Sequence, residues 1–374
     1  MSRFCERWIL LWLMSCIPAS GIVAQENDSA AAPSKLPNIF SIGAGIQHGS
    51  IFAHSPAVEN TKGANPTGIE LSFGWQRNDK AAWDLCNCYP RKGLLLAYYN
   101  YDTRILGKSF TAAYFLEPNY RLGKRNFFFI RGAAGLSYLT DPFDSLKNPG
   151  NQSYSTAVSG YLLFGIGLWF RINDHWWLNG SANYQHISNG GLAQPNKGIN
   201  WPTVGLAMRY DYDPRDDFTG PRTKEKYWKN KPLRWDLALF TMAKKSTDEY
   251  GNRKRLPLVG LSLQAGKQVG RINMLTLSTE VFFDESLQKQ LKGDSVNASA
   301  VRAGIAFGHE FILGKFLFSQ RLGVYVFDQT PYYDPVYHRW GIHYLVSKHL
   351  GVGFNLMAHR QVADFIDLRV SYTF

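Results

Sequence analysis

Two polar residues close an otherwise alternating run: His186 and Ser188, in Tyr184-Gln185-His186-Ile187-Ser188-Asn189-Gly190-Gly191. A serine hydroxyl is a weak nucleophile until a base takes its proton, and neutral imidazole suits that task. In a β-strand, positions two apart share one face. One ring can therefore serve one hydroxyl, the minimum equipment for acyl transfer. His-x-Ser alone also fits polar residues at the edge of an aromatic girdle. Asn-Gly-Gly fits ordinary turn chemistry equally well.

The run that carries the pair has a clear parity. Trp176, Leu178, Gly180, Ala182 and Tyr184 occupy even positions, with His186 and Ser188 after them. The odd positions hold Trp177, Asn179, Ser181, Asn183 and Gln185. The next run keeps the phase: Val204, Leu206, Met208, Tyr210 and Tyr212 are even, and so is Asn200. Alternation at two residues is the strand signal. The apolar even face is expected to meet lipid, so His186, Ser188 and Asn200 are expected to face outward. Trp176 to Tyr184 covers about 27 Å of strand, or roughly 20 Å vertically at the usual tilt, close to the ~25 Å apolar band of a membrane barrel. His186 and Ser188 then lie just past one girdle.

About sixteen such runs cross the chain, starting near residues 38, 67, 93, 109, 125, 159, 175, 202, 232, 256, 271, 299, 314, 336, 348 and 363. The 11 Trp, 20 Tyr and 24 Phe in 374 residues suit girdles at two membrane interfaces. The expected fold class is all-β: a transmembrane antiparallel β-barrel, either one large barrel or two eight-stranded units in tandem. Residues 1–24 read as a signal peptide, with Arg3 and Arg7 before an apolar run from Trp8 to Val23 and a small-residue exit at Ile22-Val23-Ala24. Residues 25–37 read as a flexible mature N-terminus, 38–212 as the first barrel unit and 213–231 as a charged connector. Residues 232–374 read as a second set of strands and a candidate degenerate repeat. In that repeat His349 answers His175, His359 answers His186, and Gln361 stands where the first half has Ser188. If odd-numbered runs ascend from the periplasm, the seventh ends at the outer surface.

The motif from Tyr184 to Gly191, followed by Pro195-Asn196-Lys197-Gly198-Ile199-Asn200, resembles the lipid A 3-O-deacylase family of PagL-type outer-membrane acyl hydrolases. The resemblance covers roughly residues 38–212 and is sharp over 184–200. It implies a lipid A ester hydrolase in the outer membrane of a Gram-negative bacterium, removing a 3-O-linked acyl chain without a cofactor or metal. Ser188 would be the nucleophile and His186 the general base. Backbone N–H groups at Asn189 and Gly190 would stabilise the oxyanion. The family places an acid twelve positions after its serine; this chain has Asn200 there. An amide can fix a histidine tautomer but stabilises the imidazolium less well.

Arg104 and Lys108 fall in a short loop expected at the outer surface, as candidate contacts for lipid A phosphates or as solvated charges. Cys86 and Cys88 form Cys-x-Cys in a loop expected in the oxidising periplasm, disulfide-bonded to each other or elsewhere. His359 has odd parity and no serine partner, so it reads as structural. The net charge of +12 fits contact with lipopolysaccharide and outer-membrane lipids better than with nucleic acid. The terminal Phe374 resembles the signal read by barrel-assembly machinery. The competing function is an outer-membrane porin or a structural barrel without activity; a wide single barrel with a polar lumen would favour the porin.

Overall fold

The computed structural model describes residues 38–221, 225–247, 253–360 and 362–374. The expected leader, the mature N-terminus and Gln361 lie outside them. Sixteen antiparallel strands form two closed barrels of eight, so of the two expected closures the tandem one holds. The first barrel consists of β1 (Ile39–Gly49), β2 (Thr67–Gln76), β3 (Tyr89–Asn100), β4 (Lys108–Arg121), β5 (Asn126–Leu139), β6 (Val158–Arg171), β7 (Trp176–Ser188) and β8 (Ile199–Asp211), closed by β1 against β8. The second runs β9 (Arg234–Thr247), β10 (Arg253–Gln268), β11 (Asn273–Asp284), β12 (Val301–Leu313), β13 (Phe316–Phe327), β14 (Val336–Leu345), β15 (Leu350–His359) and β16 (Val362–Thr373), closed by β16 against β9.

Side-chain burial follows the parity read from the sequence. On β7 the odd residues Trp177, Asn179, Asn183 and Gln185 are buried, while Trp176, Leu178 and Tyr184 are exposed. The exposed outer wall of both barrels is apolar, as a lipid-embedded barrel requires, and the interiors mix buried charged and polar side chains with aromatic and aliphatic clusters. Among the described residues no helix is long and apolar enough to cross a membrane.

Eight strands leave room for side chains only, and here charge networks fill it. In the first barrel Arg131 binds Glu70 at 2.8 Å and Glu117 at 2.6 Å, and Trp169 Nε1 donates to Glu117 at 3.1 Å. Arg209 stacks over Trp169 and Trp177 at 4.6 and 4.4 Å. In the second, Arg339 bridges Glu280 and Asp367, and Arg369 meets the same two acids. The condition that would favour a porin, one wide barrel, is not met.

The two barrels share a device at their closing strands. His175 donates from Nδ1 to Asp211 O at 2.8 Å and stacks on Tyr210. His349 does the same with Thr373 O at 2.9 Å and stacks on Tyr372. A carbonyl has only lone pairs to offer, so Nδ1 is the donor in both. The correspondence at the other end fails: His359 points into the second lumen and meets Tyr325 Oη at 3.0 Å.

Among the described residues two short α-helices stand in stretches that carry no strand pattern. The first, α1 (Lys80–Cys86), is capped by Asp79, whose carboxylate accepts from Ala82 N. A disulfide joins Cys86 to Cys88, so the two cysteines pair with each other. The second, α2 (Glu285–Gly293), is capped by Asp284 through Leu287 N.

Candidate active site

The strand register brings the expected residues together. In the β7–β8 pair, His186 stands directly opposite Asn200. Residues so paired place their Cβ atoms about 5 Å apart, which is hydrogen-bonding range for an imidazole and an amide. His186 Nδ1 lies 2.7 Å from Asn200 Oδ1, and His186 Nε2 lies 2.9 Å from Ser188 Oγ. An amide oxygen accepts only, so Nδ1 carries the proton and Nε2 has the free lone pair that faces the serine hydroxyl. That tautomer is the one a general base needs.

All three side chains belong to the even, outward set, yet none is fully exposed: Asn200 is buried and His186 and Ser188 are half-buried. The cover comes from loops at the same end of the barrel. The stretch after β1 is tied down by Ser50 N to Pro202 O at 3.2 Å and Phe52 N to Asn200 O at 2.8 Å. This tether carries His54 over the site, where its Nδ1 lies 3.0 Å from Asn200 Nδ2. The β7–β8 loop is held by Lys197 N to Gln152 O and Gly198 N to Ser153 O at 3.0 and 2.7 Å.

The turn after Ser188 divides the two expected oxyanion donors. Asn189 N donates to Asn196 Oδ1 at 3.0 Å, and the Asn189 side chain holds Gly191 N and Ala193 O. Asn189 is thus occupied in shaping the turn. Gly190 N has no acceptor among the described residues, and the residue adopts φ +63°, where glycine is favoured. A Cβ at Gly190 would collide with Ile366 Cδ1, so the second barrel packs on this turn through β16. Arg104 and Lys108 are both exposed, in and beside the β3–β4 loop at the same end as Ser188. They lie apart from the His186–Ser188–Asn200 cluster in sequence and, among the described residues, make no hydrogen bond or ion pair with it.

Below the cluster the outer wall is hydrophobic. A hollow of about 510 Å³ opens on it between Ala44, Ile46, Ile69, Leu206 and Met208. It is shallow and open, and Ala44, Gly45 and Ala207 are among the residues that line it. His54 is the site residue that sequence reasoning missed. It sits in a stretch without periodicity, and only the three-dimensional closure of β1 on β8 brings it to Asn200.

Residues 58–209 match the family described as lipid A 3-O-deacylase (PagL), and residues 233–374 match the acyloxyacyl hydrolase C-terminal domain. Among solved structures, the outer membrane enzyme PagL is 18% identical, covering 45% of this chain and 97% of that one, with a TM-score of 0.32. Neisserial surface protein A is 12% identical over 46% of this chain and 97% of its own, with a TM-score of 0.34. The N-terminal β-barrel domain of Pseudomonas aeruginosa OprF is 12% identical over 47% and 99%, with a TM-score of 0.27. No curated protein matches the chain.

Proposed function

We propose, for a chain whose residues 58–209 match the lipid A 3-O-deacylase family and whose residues 233–374 match the acyloxyacyl hydrolase C-terminal domain, that Ser188 and His186 hydrolyse a 3-O-linked acyl ester of lipid A. The protein resides in the Gram-negative outer membrane. The observation that carries the reading is the unbroken relay from Ser188 Oγ through His186 to Asn200, at 2.9 and 2.7 Å, on the outward face of a barrel.

In the first half-reaction Ser188 Oγ attacks the ester carbonyl while its proton passes to His186 Nε2. The carbonyl oxygen becomes an oxyanion, for which the N–H of Gly190 is the proposed donor. Collapse breaks the ester bond, and His186 returns its proton to the departing sugar oxygen. In the second half-reaction His186 deprotonates a water, which attacks the acyl-serine carbonyl; collapse breaks the bond to Ser188 Oγ, which takes the proton back from His186, and the free fatty acid departs. Asn200 holds Nδ1–H throughout. The hollow beside Ile46 and Leu206 offers the acyl chain an apolar bed on the same face. Arg104 and Lys108 are the proposed contacts for the lipid A phosphates, and Phe374, exposed at the end of the chain, for the assembly machinery.

Lipid A mass spectrometry tests this. Cells carrying the inserted protein should lose the mass of one ester-linked hydroxyacyl chain. An unchanged spectrum with properly folded protein in the outer membrane would overturn it.

A further inference from the structure

We propose that His54 is a positioning residue that fixes the orientation of the Asn200 amide and, through it, the tautomer of His186. The inference rests on the reading of Ser188 and His186 as the reacting pair. Its starting point is an asymmetry between an acid and an amide in the third position. A carboxylate has two equivalent oxygens, and either accepts from His186 Nδ1–H. An amide has one acceptor end and one donor end. Turned over, Asn200 would present its NH2 group to His186 Nδ1. Nδ1 would then have to accept, the ring proton would move to Nε2, and Nε2 could no longer take a proton from Ser188.

Something beyond Asn200 must therefore choose the orientation. His54 Nδ1 stands 3.0 Å from Asn200 Nδ2, on the side away from His186. With its ring proton on Nε2, His54 offers a lone pair to the amide NH2 group and repels the amide oxygen. Four residues then form one directed chain: Ser188 Oγ–H donates to His186 Nε2, His186 Nδ1–H to Asn200 Oδ1, and Asn200 Nδ2–H to His54 Nδ1. His54 is half-buried rather than sealed, so its Nε2–H can donate to water. The loop has no evident need of a histidine for its own folding, because backbone bonds from Ser50 and Phe52 to β8 hold it.

The test is a double-mutant cycle with a spectroscopic readout. His54→Leu keeps side-chain bulk and removes the acceptor; Asn200→Asp makes the third position symmetric. In the Asn200 background His54→Leu should lower kcat several-fold with KM unchanged, since the flipped amide, which leaves His186 unable to take the serine proton, becomes the more populated orientation. In the Asn200→Asp background the same substitution should change kcat by less than about twofold. The 15N shifts of the His186 ring, in folded protein in detergent micelles, should report Nδ1–H in the native chain, mixed tautomers in His54→Leu, and Nδ1–H again in the double variant. His54→Gln, which retains an acceptor, should keep the native tautomer, and it carries the test if His54→Leu does not fold. Equal losses in both backgrounds, or an unchanged His186 tautomer in His54→Leu, would overturn the inference. If the native chain cleaves no ester, the proposed function fails, while the nitrogen shifts still decide the role of His54.

Discussion

Gly198 approaches His186 so closely that a Cβ built on it would lie 2.8 Å from the imidazole Cε1. Its φ of +79° also falls where side chains are strained. Gly198→Ala should therefore push the ring off Ser188 and lower kcat by ten- to a hundredfold, roughly the cost of a small misplacement of a catalytic group. Barrel assembly should be unaffected, because the residue lies in a loop. Turnover of a defined lipid A ester by purified protein checks this, and full activity in Gly198→Ala would show that the ring can reposition freely.

Ser188→Ala should abolish ester cleavage while leaving the barrel folded. Among the described residues the hydroxyl bonds only to His186, so its removal costs little stability. Loss of the deacylated lipid A species, alongside an unchanged heat-modifiable band on gel electrophoresis, is the expected pair of results.

Asn200→Ala and Asn200→Asp should move in opposite directions. Alanine removes the 2.7 Å acceptor from His186 Nδ1 and should cost about ten- to a hundredfold in kcat, less than loss of the nucleophile. Aspartate keeps the reach and adds a negative charge that stabilises the imidazolium in the transition state, so the rate should be kept or raised. An aspartate variant as slow as the alanine one would mean that another group holds His186.

Charge removal in the first lumen should act on stability alone. Glu117 is buried and meets Arg131 at 2.6 Å, Arg91 at 3.5 Å and Trp169 Nε1 at 3.1 Å. Glu117→Ala leaves two buried guanidinium groups short of a partner, which typically costs about 3–5 kcal/mol. The unfolding temperature in detergent should fall, and kcat measured below it should hold.

Arg104→Ala and Lys108→Ala should raise KM for a phosphorylated lipid A and leave kcat nearly unchanged. Both side chains are exposed, and neither touches the reacting groups. With a dephosphorylated substrate the effect should vanish; an equal effect on both substrates would remove the phosphate reading.

The architecture was legible where lipid imposes a period. Every strand begins within four residues of its sequence-read start, from Ile39 to Val362. The largest offset is at β3, where Tyr89-Pro90-Arg91-Lys92 precedes the leucine run and masks the alternation. Parity also fixed the shared face of His186, Ser188 and Asn200, because neither β7 nor β8 shifts register between them. The number of barrels was not legible: closure of β1 on β8 and of β16 on β9 is a long-range pairing that no local pattern encodes. The helices were missed for their brevity, although Asp79 and Asp284 are ordinary N-cap signals. His54 was missed because its role depends on which loop lies over which strand, and the engagement of Asn189 N because the side chain of Asn196 supplies its acceptor.

Filled lumens and an outward-facing relay have a kinetic consequence. With Arg131, Glu117 and Trp169 occupying the first interior, neither ester nor fatty acid has a route through the protein. In the proposed reaction both travel within the leaflet, by lateral diffusion in two dimensions. The quantity that sets turnover is then the mole fraction of lipid A around the barrel wall, not its bulk molarity. Spreading a fixed amount of substrate among inert phospholipid should slow the enzyme by surface dilution, and adding more vesicles of the same composition should not speed it.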